Sequence, residues 1–199
     1  MSPALSMVAT RGTTMPRAGL STAAVVDAAL HLIDERGLDA LTLAAVAERT
    51  GVAAPSLYKH VGSLAQLRTQ MAVRIMEELT ERFTKALVGR SGDDAVATLM
   101  RTYRQYAVDH PARHAAIPPD PLHDPELASA GARLIEVLFA VLRGYGLDGA
   151  AAIHTTRCLR AIVHGFASIE AAGGFGLPED LDTTHEQLIR MFVASLPRT

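Results

Sequence analysis

Along nearly its whole length the chain repeats apolar residues at three-to-four spacing, and nowhere does alternation at period two persist over a useful length. This predicts an all-α protein. Between Ser21 and Gly37, the positions Val25, Ala28, Ala29, Leu32 and Ile33 form one stripe; Ser21 offers a capping hydroxyl and Gly37 sits just past the end. Thr42 then caps a short second helix carrying Leu43, Val46 and Ala47, which Gly51 stops. A third short helix begins near Ala54, with Pro55 in its first turn, where the missing amide hydrogen has no intrahelical partner to lose. Two short helices joined by a glycine-containing turn are the helix-turn-helix pattern.

A long helix follows from Ser63 to about Leu87, long enough to link a head to a body. Further helices are expected at 95–109, 125–145, 148–172 and 183–196, separated by Gly- and Pro-rich stretches. The expected organisation is a disordered tail over 1–17, a helix-turn-helix head over 18–65 and a helical body over 66–199.

With 49% apolar residues among 199, a substantial core is available. Cys158 is the single cysteine, which excludes an intramolecular disulfide framework and a cysteine zinc cage; lying mid-helix between apolar neighbours, it reads as a small buried side chain. The opening residues lack a basic start followed by an apolar run, and no stretch reaches the ~18 apolar residues of a membrane span. A cytoplasmic protein without membrane contact is expected. The net charge of −2 means that any contact with DNA comes from a local patch. Residues 1–75 carry seven basic and five acidic side chains, the remainder twelve and sixteen.

In the stretch Leu41 to Leu67, the apolar residues Leu43, Val46, Val52, Leu57 and Val61 fall where they lock the short helices against the first. The third helix then turns Pro55, Ser56, Lys59 and His60 outward, and an exposed rigid helix fits a major groove. Ser56 and Lys59 can donate to base edges or phosphates, Tyr58 and His60 to phosphate oxygens. The alternative is a helical corner with incidental polar residues.

This stretch closely resembles the DNA-binding head of the tetracycline-repressor (TetR) family. The resemblance is carried by Ala28-Ala29, Gly37, Leu41-Thr42, Val46-Ala47, Gly51-Val52 and Ser56-Leu57-Tyr58-Lys59-His60-Val61. It implies that Thr42 meets a phosphate, that Tyr58 and His60 grip the backbone, and that Pro55, Ser56 and Lys59 face the bases. Two positions depart from the family pattern. Ala53 stands where a capping serine is common, a loss of about 0.5–2 kcal/mol. Leu64 stands where a lysine commonly grips phosphate; Arg68 and Arg17 either compensate or are ordinary surface residues.

Helix-turn-helix proteins read palindromic double-stranded operators as dimers. The last two helices are the expected homodimer interface, with Ile162, Gly165, Phe166 and Ile169 on one and Leu188 and Phe192 on the other. Val163-His164-Gly165-Phe166-Ala167 and Gly173-Gly174-Phe175 resemble the C-terminal domain of a TetR subgroup in which Trp-His-Gly is typical, with Val163 in place of the tryptophan. The resemblance implies a small-molecule effector in a cavity among the middle helices. Candidate polar groups there are Tyr103, Tyr106, His110, Arg157 and His164, each equally readable as a satisfied structural residue. Met76, Leu79 and Phe83, with Leu99, Met100, Leu138 and Phe139, suit either a hydrophobic effector or plain core.

The rival class is a metal protein or enzyme using His110, His114 and His123 with Asp109, Asp120 and Asp124. His110 and His114 have ligand spacing for a helix, but Pro111 disfavours helical geometry at His110, and the stretch reads as a polar loop. No catalytic motif and no cofactor-binding motif is present. Ala53 and Leu64 keep open a third reading, an adaptor with a degenerate DNA-binding head.

Overall fold

The computed structural model describes residues 20–198. The tail expected over 1–17, and Arg17 with it, lies outside the described residues. Helix α1 (Thr22–Arg36) starts where Ser21 Oγ accepts from the Ala24 amide at 3.2 Å and ends at Gly37, whose amide donates to the Ile33 carbonyl. A single 3-10 turn, Leu38–Ala40, was not expected from the pattern. Helix α2 (Leu43–Thr50) is capped by Thr42, whose hydroxyl oxygen accepts from the Ala45 amide at 3.1 Å. It stops at Gly51, which adopts the left-handed conformation (φ 68°) that glycine enters without a Cβ penalty.

Helix α3 (Ala54–Leu57) is one turn long, and Ala53 at its head makes no capping bond. Helix α4 (Leu64–Leu87) has 24 residues, about 36 Å at 1.5 Å each. Its start is doubly tied. Ser63 Oγ accepts from the Gln66 amide at 3.0 Å, and Gln66 Oε1 accepts from the Gly62 amide at 2.6 Å.

Helix α5 (Gly92–Asp109) begins three residues before its expected start, and α6 (Pro111–Ala115) occupies ground expected to be loop. Proline's restriction falls on His110, which stays outside the helix at φ −135°, ψ 62°, while Pro111 opens a new helix where no amide is needed. Helices α7 (Ala128–Arg143), α8 (Gly149–Ala171) and α9 (Leu181–Ala194) complete the described residues. All-α is the observed class.

One apolar core runs from head to body. Val25, Val46, Leu57 and Val61 lock α1–α3 together, and Leu67, Met71 and Ile75 of α4 continue the same cluster to Leu79, Phe83 and Tyr106. The expected boundary after residue 65 therefore falls inside the first turn of α4, whose next turns pack with the head. A second cluster joins α5, α7, α8 and α9 through Met100, Leu142, Leu159, Val163, Ile189 and Phe192. On α8 the inward stripe is Thr156, Leu159 and Val163. Cys158 lies off that stripe and is exposed, contrary to the expectation of burial.

Candidate DNA-reading surface and ligand cavity

Leu57 and Val61, both fully buried, fasten α3 and the turn after it to the head core. Thr22 Oγ1 donates to the His60 carbonyl at 3.3 Å, and Arg49 forms a two-bond clamp to Glu35 at 2.6 Å, tying α2 to α1. Outside these anchors Thr42, Pro55, Tyr58 and Lys59 are exposed, and Ser56 and His60 half-buried. Tyr58 is 58% exposed, a large aromatic surface with no core to serve. The Thr42 oxygen accepts its capping bond, leaving the hydroxyl hydrogen free to donate outward. Five of the six residues expected to meet DNA thus sit on one short, firmly held stretch, 55–60, and the sixth, Thr42, caps α2.

In the body, a cavity of about 740 Å³ lies between α4, α5, α7 and α8, with residues 117–123 along one side. Helix α4 contributes Met76, Leu79 and Phe83. Leu99 and Met100 come from α5, Leu138 and Phe139 from α7. Every apolar residue expected there is on the wall, as are Tyr103, Arg157 and His164.

Tyr106 and His110 are not. Tyr106 is fully buried, its hydroxyl donating to Glu78 Oε2 at 3.3 Å and its ring lying 5.0 Å from the Arg82 guanidinium carbon. His110 Nε2 is 3.2 Å from Arg82 Nη2. His110 stands just past the end of α5, seven residues beyond Tyr103 and so about 10 Å farther along the axis than the cavity's polar group.

Three polar residues escaped the sequence reading. Thr156 is buried on the cavity wall with a hydroxyl that has no partner; its place on the stripe with Leu159 and Val163 was the available signal. His114, considered only as a metal ligand, is buried with its ring 4.7 Å from that of His164 and 5.7 Å from that of Tyr103. The Tyr103 hydroxyl meets His164 Nδ1 at 2.8 Å. Burial, reinforced by His164, pushes the His114 imidazole down to about 4; burial and Arg160 lower His164; burial pushes the Tyr103 phenol up to about 12. All three groups are uncharged at neutral pH.

The third is Arg113, next to His114. Its guanidinium donates to Asp34 of α1 through Nε at 3.0 Å and Nη2 at 2.5 Å, and to Glu78 of α4 through Nη1 at 2.8 Å. Helix α6 therefore touches the head with one residue and the polar end of the cavity with the next. The histidines of the metal rival are scattered, His110 against Arg82, His114 against His164, and exposed His123 against Asp120. Among the described residues no group of three or more His, Cys, Asp or Glu side chains is placed to hold a metal ion.

The expected dimer residues divide. Ile162, Gly165 and Leu188 are partly exposed and Ile169 is 46% exposed, with Met191 beside them in exposure at 63%. Phe166 and Phe192 are instead buried inside their own protomer. Phe166 packs on Phe175 and His185 beneath Arg104, which bonds Glu170 of α8 and Asp182 of α9, while Phe192 belongs to the second core cluster. Large aromatics on an amphipathic helix fill the protomer's core first.

Residues 25–71 match bacterial regulatory proteins of the tetR family, and residues 96–192 match a tetracyclin repressor-like C-terminal domain. An uncharacterized HTH-type transcriptional regulator of Mycobacterium tuberculosis, Rv0681, is 37% identical over 168 residues, spanning 83% of this chain and 76% of that protein. The chain belongs to the TetR family of transcriptional regulators. A second relative, the uncharacterized HTH-type transcriptional regulator YobS of Bacillus subtilis, is 31% identical over 183 residues, covering 91% of this chain and 95% of its own. The fold is also that of a TetR variant from Acinetobacter baumannii AYE in complex with minocycline, with a TM-score of 0.69 at 21% identity over 88% of this chain and 95% of that one. Among the described residues no helix is long and apolar enough to cross a membrane.

Proposed function

We propose that this TetR-family regulator is a homodimeric repressor that holds a palindromic operator through Thr42, Pro55, Ser56, Tyr58, Lys59 and His60, and leaves it when a small molecule fills the body cavity. The labour divides between the head at 18–65, against which the first turns of α4 are packed, and the body at 66–199. The carrying observation is α6, which places Arg113 on the head and His114 on the Tyr103–His164 pair at the cavity. A molecule that displaces the pair moves His114, and with it the Arg113 grip on Asp34 and Glu78. The minocycline complex of the A. baumannii relative supports a body that takes small molecules. As a DNA-binding regulator the protein works in the cytoplasm, as a dimer joined through the exposed faces of α8 and α9 around Ile162, Gly165, Ile169, Leu188 and Met191.

The test is selection of duplexes from a random library, followed by anisotropy titration of the winner over a range of salt. A palindrome bound with steeply salt-dependent affinity is expected. Feeble binding with no enriched sequence overturns the operator reading in favour of an adaptor.

A further inference from the structure

The cavity's polar groups are sorted by charge. Asp120, Glu136, Arg157 and Arg160, the charged side chains on its wall, are all exposed and so belong to the rim. Three of them are already engaged: Asp120 with His123 at 2.7 Å, Glu136 with Arg143 at 2.9 Å, and Arg160 with the Pro119 carbonyl at 2.7 Å. Deeper in, the wall is apolar side chains from four helices, interrupted by Tyr103, Thr156 and His164. An ion carried inside would be stripped of water and form no pair there, which disfavours it: Arg160, near enough to lower His164, is exposed and held by the Pro119 carbonyl, and Arg157 stands at the rim.

An uncharged hydrogen-bonding group is met differently. In either tautomer of His164 the pair keeps one donor and one acceptor: with the Tyr103 hydroxyl donating to Nδ1, the Nε2–H donates and the phenolic oxygen accepts; with Nδ1–H donating to Tyr103, the phenolic hydrogen donates and Nε2 accepts. Thr156 lies two turns along α8 from His164, about 12 Å away. Its buried hydroxyl is unpartnered although helical threonines commonly bond the carbonyl four residues back.

Resting on the reading of this cavity as the effector site, we propose that it takes an elongated, uncharged, largely apolar molecule whose hydrogen-bonding group seats on the Tyr103–His164 pair. The rest of the molecule lies along the α4 and α7 side chains towards Thr156.

The matched probes 4-nonylphenol and 4-nonylbenzoate differ in the charge of one end. Titrated calorimetrically into the full-length protein at pH 7.5, the phenol is expected to bind at least about tenfold more tightly. Tyr103→Phe should weaken the phenol about fivefold and leave the benzoate unchanged. Leu138→Trp, which fills the cavity, should remove binding of both. Equal or tighter binding of the benzoate, phenol binding indifferent to Tyr103→Phe, or binding of neither probe overturns the proposal. Anisotropy of operator DNA on the same samples separates it from the repressor reading. Phenol binding of the expected pattern that leaves operator affinity unmoved would keep the ligand class and discard the effector role.

Discussion

Arg113→Met removes one cation from the junction of head and body and keeps most of the side chain's length. The arginine is 11% exposed, its partners Asp34 and Glu78 23% and 20%. Breaking a fully buried pair costs about 3–5 kcal/mol, because the remaining charge is stranded without water. With a fifth of each carboxylate still reached by solvent, the expected loss is about 2–3 kcal/mol. For a chain of this length each kcal/mol lowers the melting temperature by about 2–4 °C, so the variant should melt about 8 °C lower. Calorimetry at fixed protein concentration reads it, since dimerisation makes the midpoint concentration-dependent. Asp34→Asn added to Arg113→Met removes one stranded carboxylate and should restore about 1 kcal/mol, although alone it destabilises. A shift below about 2 °C, with the two changes simply additive, would refute the view that Arg113 binds the head to the body.

Ala53→Ser should supply the missing cap of α3 and raise the urea midpoint by the equivalent of about 0.5–1 kcal/mol with unchanged slope; a lower midpoint would show that the site resists capping. Tyr58→Phe and Lys59→Ala should each weaken operator binding about tenfold in the dimer without moving the melting temperature, and anisotropy beside calorimetry checks both. Leu64→Lys should steepen the dependence of log affinity on log salt by about 1.8 for a dimer, against about 0.9 for a monomer; an unchanged slope would place that position away from phosphate. Met191→Asp should convert the dimer to a monomer in sedimentation and abolish tight operator binding, whereas a dimer that persists would move the interface elsewhere.

The head was legible because its determinants are local. Ser21, Thr42, Gly37 and Gly51 do at the helix ends what their chemistry permits anywhere. The cavity's apolar wall was legible too, but only as a choice between core and pocket, since Leu79 or Phe139 looks the same from the sequence in either role. What decides is the packing of α7 against α4, a long-range fact. The polar residues were hardest. Tyr103 and Tyr106 on α5 and His110 just past its end have comparable chemistry, yet only the first reaches the cavity, because Glu78 and Arg82 on α4 claim the other two. His114 was misplaced with its helix: Pro111 does keep His110 out of helical geometry, but the stretch read as a loop is α6, which Pro111 opens. Phe166 and Phe192 show the same limit, for periodicity finds the apolar face of a helix but not whether that face meets its own chain or another.

The continuous core restricts how an effector can act. Leu67, Met71 and Ile75 pack with Val25, Val46 and Leu57, so the head cannot swivel on α4 without opening that cluster. Head and the start of α4 must move together, and the proposed mechanism needs a tilt of α4 over the body, which shifts Leu79 and Phe83 against Leu99 and Tyr106 of the same cluster. Across its length of about 36 Å, a tilt of about 5° displaces the head end by about 3 Å. On a two-fold dimer both heads move, against half-sites fixed about 34 Å apart by the helical repeat of DNA. On the proposed mechanism the effector therefore needs no unfolding and no large rearrangement. It has only to bind the tilted state better, about 10⁴-fold for a near-complete switch, and α6 lies where the cavity contents can bias that tilt.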